Sequence, residues 1–182
     1  MEQSKSISMC TPNSVQVTHV FDIFGYSNHR GMGNEKFIRS GTFSVGGHDW
    51  SIRFYPDGYN TEKVEKDYVS VYLELMSKGA KVRGSCDLRL VDHSTGISAS
   101  VHKTELRTFD PADLSKFAPQ TSNFKKRGDV ESAFLANDRL TIECIVTVFE
   151  KPHVTKPKSP PKIDMPPSDL AEHVGRLLDE EG

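Results

Sequence analysis

The sequence predicts an all-β fold, an antiparallel β-sandwich of about eight strands that is followed by a Pro-rich linker and a short C-terminal helix. The first observation is an alternation of apolar and polar residues, which recurs through the first 150 residues and is typical of strands with one buried face. The clearest case is residues 68–76, where Val69, Val71 and Leu73 share one face while Tyr68 and Tyr72 share the other. The second observation is that clusters of Gly, Pro and Asp separate these segments, as turns do.

The predicted strands follow one another between short turns. A polar leader is expected at residues 1–13, and the first strand at residues 15–23. The strands after it are expected at residues 37–45, 50–54, 68–76, 82–91, 97–108 and 139–149. We expect the chain from residue 68 to residue 108 to form three successive antiparallel strands, with turns at Lys78-Gly79 and at residues 92–96.

Two parts of the chain depart from this alternation. Residues 110–127 predict a long loop with at most one helical turn, which would begin at Pro111. Residues 151–167 hold six of the ten prolines and four lysines, a composition that predicts an extended linker. At residues 168–182 an amphipathic helix is expected, since Leu170, Val174 and Leu178 recur at helical spacing. A domain at residues 14–150 remains.

Composition limits the partners that this chain is expected to have. With 182 residues, of which 36% are hydrophobic and 26% charged, the chain can form one globular domain with tails. Its 23 basic and 25 acidic residues give a net charge of −2, so no global positive field favours nucleic acid as the main partner. No apolar run approaches the roughly 20 residues that span a bilayer, and the N-terminus lacks the apolar core of a signal peptide. We therefore expect no membrane partner and a cytoplasmic or nuclear location.

The residues that could carry chemistry give little support to an enzyme. Cys10, Cys86 and Cys144 are odd in number and widely separated, which predicts free thiols in a reducing compartment. The seven histidines show no paired metal-ligand spacing, and Gly31-Met32-Gly33 lacks the third glycine of a dinucleotide-binding loop. Ser44 lies in a predicted hairpin rather than in a strand-to-helix turn. We expect no catalytic residue, metal or cofactor, although an enzyme with dispersed catalytic residues stays open as an alternative.

One set of segments resembles a known family. These segments read, in order, GYSNHRGMGNEKFIRSGTFSVGGHDWSIRFYPDGYN, KDYVSVYLELM and FLANDRLTIECIVTV. Together they resemble the MATH (meprin and TRAF homology) domain of plant MATH-BTB and speckle-type POZ-like proteins over residues 14–150. The last segment, MPPSDLAEHVGRLLDEEG, resembles the linker and opening helix that lead into a BTB domain. The resemblance implies a TRAF-like sandwich, truncated at the start of the BTB domain.

The resemblance also implies a function. In that family the MATH domain binds short extended segments of client proteins in a shallow groove, and the BTB domain dimerises and recruits a cullin scaffold for ubiquitin transfer. We therefore expect the substrate-recognition part of a ubiquitin-ligase adaptor, monomeric and without cullin binding unless a BTB domain is present. A stand-alone binder that competes for clients remains an alternative, and so does a PxxP ligand in the proline-rich linker.

The same resemblance suggests five peptide-binding residues. Tyr68 and Tyr72 match two tyrosines of the family's groove, and Cys86 stands where animal relatives carry a groove phenylalanine. Phe117 and Phe124 are the two ends of the loop that replaces an aromatic run of the groove. For Tyr72 the alternative is a surface tyrosine that stabilises the sheet through a cross-strand pair, and for Tyr68 it is a residue at the start of the strand that covers a loop. Outside this set, Trp50 alternates with Ile52 and Phe54 and is expected in the core, and Lys125-Lys126-Arg127 in a solvated loop.

Overall fold

The computed structural model describes residues 4–59 and 67–157. Residues 12–153 form one compact unit, which contains the sandwich. The described residues of the second unit, 4–11 and 154–157, are exposed and include the outer ends of the first and last strands. The helix expected at residues 168–182 and most of the expected linker lie outside the described residues. No helix of the described ranges is long and apolar enough to cross a membrane.

The fold is an antiparallel β-sandwich, so the predicted fold class is confirmed. Within the described ranges its elements are β1 (Met9–Phe24), α1 (Tyr26–His29), β2 (Ile38–Arg39), β3 (Phe43–Val45), β4 (His48–Tyr55), β5 (Tyr68–Leu75), β6 (Val82–Asp92), β7 (Ile97–Lys103), β8 (Arg107–Phe109), a 3₁₀ turn (Leu114–Lys116), β9 (Phe117–Ala118), β10 (Lys125–Lys126), α2 (Arg127–Ala133) and β11 (Arg139–Thr155). One sheet has the order β1-β11-β6-β7, with β8 also paired to β6. The other has the order β10-β5-β4-β2, with β3 on β4 and β9 on β5.

The core lies between the two sheets and is built by the predicted alternation. Apolar side chains at every second position of β4, β5, β6 and β11 are buried in one cluster. Trp50 of β4 is fully buried, and its ring meets Phe109 of β8 edge-on with 5.0 Å between centroids. Its indole Nε1 donates to the carbonyl of Val45 at 3.5 Å. The expectation that Trp50 belongs to the core is confirmed. Its ring contact with Phe109 joins one sheet to the other.

The order of strands in the sheets differs from the prediction at one turn. The segment at Lys78-Gly79 does not close a hairpin: β5 pairs with β4, whereas β6 pairs with β7, β8 and β11 in the opposite sheet. The expected three successive paired strands are therefore wrong at this point. A glycine with positive φ, here Gly79, permits a sharp turn but does not decide whether the next strand pairs or crosses over. The next turn does close the predicted β6–β7 hairpin, with the Gly96 amide donating to Asp92 at 2.7 Å.

Several element boundaries also differ. The first strand begins at Met9 rather than at residue 15, and the last continues to Thr155 rather than ending at residue 149. Alternation marks only the part of a strand that packs on the core, and the ends of β1 and β11 lie beyond it. The domain limits at residues 14–150 stay a prediction.

The segment at residues 110–127 contains more structure than a loop. Its helical turn starts at Leu114 rather than at Pro111, because the Asp113 carboxylate caps it by accepting from the Ser115 amide at 2.7 Å. The helix α2, which follows it, was not expected. It has seven residues, and only Val130 is buried, so no apolar stripe signals it.

Close approach of two strands at a glycine gives a stability test. A Cβ atom at Gly84 of β6 would lie 2.7 Å from the carbonyl oxygen of Thr147 on the neighbouring β11. We expect Gly84→Ala to lower the free energy of unfolding by about 1–3 kcal/mol, because the two backbones must separate. The measurement is urea unfolding of the purified chain.

The matched control is Gly128→Ala in the first turn of α2. A Cβ atom there meets nothing within 4 Å, and alanine favours a helix. Stability should stay the same or rise by up to about 1 kcal/mol. Equal unfolding midpoints for the two variants would contradict the packing described for β6 and β11.

Candidate functional site

The outer face of β5 is covered, although its alternation leaves polar and aromatic residues there. Ser70, Tyr72 and Glu74 point away from the core, yet they are only 1%, 9% and 4% exposed. Ser70 donates from its hydroxyl to the carbonyl of Ser122 at 2.6 Å and accepts from the Tyr59 amide at 3.1 Å. Two connecting segments therefore lie across this face of the sheet and form the walls of a site.

Aromatic rings form the main part of that site, which we call the aromatic pocket. The Tyr55, Tyr59 and Tyr72 rings contact one another edge-on, with centroids 5.3 to 5.8 Å apart. Phe117 lies 6.2 Å from Tyr72, also at a steep angle. Such edge-to-face contacts each add about 0.5–1.5 kcal/mol beyond the burial of area. Among the described residues, this cavity of about 220 Å³ is lined by Arg53, Tyr55, Tyr59, Tyr72, Leu114, Phe117, Pro119 and Gln120.

An ion pair at the edge of the aromatic pocket fixes its arginine. Arg53 of β4 donates from Nε and Nη2 to the two oxygens of Glu74 on β5, at 2.7 and 2.8 Å. The guanidinium lies 4.3 Å from the centre of the Phe37 ring and 4.8 Å from that of Phe117. Burial acts to lower the pKa of Arg53, but the hydrogen bonds with Glu74 and Tyr55 outweigh it and raise that pKa. The charged, planar guanidinium is thus held against the Phe37 and Phe117 rings.

A second arginine shares the same carboxylate. Arg39 of β2 lies directly opposite Arg53 of β4, and its Nη2 is 3.0 Å from Glu74 Oε2. Like charges directly opposite each other on neighbouring strands are destabilising. Glu74 lies between the two cations and offsets part of their repulsion. The three side chains still carry one more positive than negative charge.

The loop that carries Tyr59 is anchored on its other side. Asp57 accepts from the backbone amides of Gly31 and Gly33 at 3.1 and 2.8 Å. Arg127 donates from Nε to the carbonyl of Pro56 at 3.2 Å. The Gly31-Met32-Gly33 motif therefore serves as a docking point for the turn before Tyr59. This gives the motif a structural role at the site.

Two of the five residues expected to bind peptide, Tyr72 and Phe117, line the aromatic pocket. Tyr68 lies four residues earlier on the same strand, half-buried, and is not part of the lining. Cys86 is 2% exposed and packs in the core from β6 of the opposite sheet. Phe124 is 5% exposed and also belongs to the core, with its amide donating to the Val69 carbonyl at 3.2 Å. The structure brings neither Cys86 nor Phe124 to the aromatic pocket.

Five residues at the site were not predicted from the sequence: Arg53, Glu74, Tyr55, Tyr59 and Leu114. Arg53 and Glu74 are at outward positions of two neighbouring strands with alternating residues. Opposite charges at such positions could have indicated an ion pair. To know that these two residues pair, one needs the register of β4 on β5, which places Glu74 opposite Ser51 and Arg53 opposite Tyr72. Tyr59 follows the Pro56-Asp57-Gly58 turn, where alternation gives no guidance.

A polar network on the five-stranded sheet is the cluster most relevant to the alternative of an enzyme with dispersed catalytic residues. Arg139 donates to both oxygens of Asp22, at 3.0 and 2.9 Å, and its hydrogen bond lowers the pKa of Asp22. The Thr141 hydroxyl is 2.5 Å from Asp22 and 3.1 Å from Nε2 of His93. An ionised carboxylate only accepts, so the hydroxyl proton points to Asp22 and His93 must be the donor. In this arrangement His93 is not the base that takes the Thr141 proton, and the lowered pKa of Asp22 makes its carboxylate a weak base.

The thiols are also placed. Cys86 and Cys144 are buried and free, and Cys10 is free and exposed. Burial raises the pKa of Cys144 well above its usual range. Within residues 4–59 and 67–157, no three His, Cys, Asp or Glu side chains lie close enough together to hold a metal ion.

Comparison with known proteins decides the family. The family model of the MATH domain matches residues 18–146. The chain belongs to the MATH-domain family. This MATH domain is therefore a protein-interaction module, and the resemblance noted in its sequence is confirmed.

Similar proteins from Arabidopsis thaliana carry the same domain. BTB/POZ and MATH domain-containing protein 5 is 37% identical over 181 residues, which cover 97% of this chain and 43% of that protein. BTB/POZ and MATH domain-containing protein 6 is 37% identical over 182 residues, or 97% of this chain and 42% of that protein. Protein 4 of the same name is 36% identical over 179 residues, with 96% and 38% covered. The MATH-domain chain spans less than half the length of these relatives.

Removing the shared carboxylate tests the ion pair. The substitution Glu74→Gln removes the negative charge that lies between the Arg53 and Arg39 guanidiniums. We expect the free energy of unfolding to fall by about 2–4 kcal/mol, toward the lower end of values for buried pairs because both arginines keep some solvent contact. The measurement is chemical unfolding at constant ionic strength.

The control for this prediction is Glu150→Gln, the same substitution at an exposed carboxylate that accepts from Asn13. Its effect should stay within about 0.5 kcal/mol. If Glu74→Gln proved as stable as Glu150→Gln, the guanidinium would not depend on Glu74 as described.

Proposed function

We propose that this MATH domain binds short, extended segments of client proteins in the aromatic pocket. The observation that carries the proposal is a cluster of four rings on a covered sheet face that still opens to solvent. At its opening, Tyr59 is 46% exposed and Leu114 is 73% exposed. Exposed apolar and aromatic groups beside buried ones are typical of binding surfaces. The rings are already held in place, so a ligand need not order them.

The size of the pocket favours a peptide side chain over a small-molecule ligand. Its cavity of about 220 Å³ is smaller than the roughly 300–1,000 Å³ of sites that enclose drug-sized ligands. One apolar side chain of a client can enter it, while the client backbone runs across the rim formed by Leu114 and Gln120. A client segment without structure of its own can adopt the extended form that such a site needs.

The names of the Arabidopsis relatives support a wider role for the module. They pair the MATH domain with a BTB/POZ domain. We infer that this MATH domain serves as the substrate-recognition part of a cullin-based ubiquitin-ligase adaptor, that catalysis is not its task, and that it works in the cytoplasm or nucleus as a monomer. Cullin capture would require a BTB domain. A pull-down with a cullin scaffold, by the chain alone and by the chain joined to a BTB domain, tests that requirement, and capture by the chain alone would contradict it.

Substitutions in the aromatic pocket test client binding. A peptide array is probed with the purified chain, and the affinity of the selected peptides is measured by fluorescence anisotropy. Tyr72→Ala removes the central ring and should weaken binding at least about tenfold. Because Tyr72 is largely buried, Leu114→Ala provides a second variant that leaves the fold intact, with an expected loss of about threefold to tenfold.

The matched control is Ile97→Ala, since Ile97 is 66% exposed on β7 of the other sheet. Its affinity should equal that of the unmodified chain. Peptides whose affinity is unchanged by Tyr72→Ala and Leu114→Ala, or is lowered equally by Ile97→Ala, would contradict binding at the aromatic pocket.

A further inference from the structure

A second cavity, which we call the hairpin cleft, lies between the turn that joins β6 to β7 and the C-terminal end of α2. Its volume is about 450 Å³. The end of α2 and the residues after it contribute the apolar side chains of Ala133, Leu135 and Ala136, and the turn contributes polar side chains, among them Asp92 and His93. A cavity that combines apolar residues with an acid suits a Lys or Arg side chain, because the aliphatic stem and the charged head need different surroundings.

A chain of polar contacts connects the hairpin cleft to an exposed ring. His93 donates from Nε2 to the Thr141 hydroxyl at 3.1 Å, and that hydroxyl lies 2.5 Å from Asp22. Arg139 donates to both oxygens of Asp22, and its guanidinium lies 5.2 Å from the centre of the Phe24 ring. The hairpin cleft and Phe24 therefore belong to one continuous surface on the five-stranded sheet.

Apolar side chains are exposed on the same surface. Phe24 is 67% exposed and Val20 is 48% exposed, and both alternate with Asp22 on the outer face of β1. Aromatic residues and arginine are enriched in protein–protein interfaces. Because the Phe24 ring is already held against Arg139, it can anchor a partner at a small cost in side-chain entropy.

Three carboxylates lie beside this surface. Asp92 lines the hairpin cleft, Asp138 precedes Arg139, and Glu143 follows Thr141 on the outer face of β11. Within residues 4–59 and 67–157, no Lys or Arg forms an ion pair with any of the three. Hydrogen bonds from a serine side chain lower the pKa of Asp92 and that of Asp138, so both carboxylates are charged at neutral pH.

Two arginines on these strands are already paired with acids. Arg139 is paired with Asp22 at 2.9 Å, and Arg89, which is opposite Glu143 in the register, is paired with Asp87 at 2.6 Å. The surface therefore keeps an excess of negative charge. Charge complementarity across an interface then favours a partner with basic residues.

We propose that this surface of the five-stranded sheet docks a basic segment of a partner protein. A Lys or Arg side chain of the segment enters the hairpin cleft, and an apolar neighbour packs against Phe24. The proposal goes beyond the proposed function, because it does not require that the aromatic pocket takes a client.

The probes are fluorescein-labelled eight-residue peptides with one central leucine, which is flanked on both sides by Lys, by Gln or by Glu. Affinities for the purified full chain are measured by fluorescence anisotropy at low and high salt. We expect the Lys peptide to bind about tenfold more tightly than the Gln peptide at low salt, and the Glu peptide to bind most weakly. The ratio of the Lys to the Gln affinity should shrink as salt screens the charges.

Two substitutions test the assigned surface. Phe24→Ser removes the exposed ring and should weaken binding of the Lys peptide about threefold to tenfold. Ala133→Trp puts a large side chain into the hairpin cleft from an exposed position on α2, so it should block the entry of the Lys side chain with a similar loss. Both changes lie outside the buried core, and a thermal unfolding scan checks that both variants fold.

Two controls for these variants lie elsewhere on the chain. Leu106→Ser removes a side chain that is 46% exposed between β7 and β8, and it should leave the affinity for the Lys peptide unchanged. Leu114→Ala, at the rim of the aromatic pocket, should also leave that affinity unchanged.

The charge requirement is tested separately. Glu143→Gln removes one of the three carboxylates and should lower the ratio of the Lys to the Gln affinity about twofold to threefold. Glu105→Gln makes the same change at an exposed carboxylate that follows β7, and it should leave the ratio unchanged.

Three outcomes would overturn the proposal. The first is a Lys peptide that does not bind or that binds no more tightly than the Gln peptide, and it would leave the proposed function standing. The second is a preference for Lys that is lost in Leu114→Ala but kept in Phe24→Ser and Ala133→Trp, because the basic segment would then bind at the aromatic pocket. The third is a dimer in sedimentation velocity that Phe24→Ser dissociates, because a second copy of the chain would then cover this surface.

Discussion

The strand β5 is buried on both of its faces, and the candidate site depends on this constraint. Its inner face fills the core between the sheets with Val69, Val71, Leu73 and Leu75. Its outer face carries Ser70, Tyr72 and Glu74. Burial of their polar groups is unfavourable unless each group has a hydrogen-bond or ion-pair partner. The partners come from neighbouring segments: Ser122 for Ser70, and Arg53 and Arg39 for Glu74. Satisfying a buried strand thus arranges the groups that a client would meet.

The ion pair between Arg53 and Glu74 connects the stability of the sheet to the form of the pocket. Held by Glu74, the guanidinium packs on the Phe37 and Phe117 rings and reaches the Tyr55 hydroxyl. A buried pair of this kind contributes little net stability over apolar residues of the same size, so stability alone does not account for it. What it provides is a charged group in a fixed position beside four aromatic rings.

The strands and the core could be predicted from the sequence because a period of two fixes which side chains share a face. Trp50 and Tyr72 were placed on the correct faces in this way. The same alternation puts Cys86 on the face of Val82, Leu88 and Leu90, so the residue pattern already favoured the core when the resemblance favoured the groove. For Cys86 the local pattern was the better guide. Its thiol packs among the apolar residues of the sandwich.

Other parts of the site could not be read from local patterns because they depend on contacts distant in sequence. Glu74 and Arg53 are 21 residues apart, and only the register of β4 on β5 brings them together. Likewise the turn at Lys78-Gly79 looks like that of a hairpin, but it leads into the opposite sheet. Phe124 adopts a core position through backbone pairing beside Val69. Tyr59 reaches the pocket because Asp57, two residues earlier, is bound by Gly31 and Gly33.

The most direct test of a preformed, charged aromatic pocket is an NMR titration that follows the arginine Nε–H signals and the aromatic ring signals. In the free protein, the account predicts a distinct, slowly exchanging Arg53 Nε–H signal, because that proton is bonded to Glu74 at 2.7 Å between heavy atoms. On addition of an array-selected peptide, this signal should shift together with those of Tyr59, Tyr72 and Phe117. An Arg53 signal that exchanges as fast as those of exposed arginines, or peptide-induced shifts confined to β1 and β7, would contradict the account.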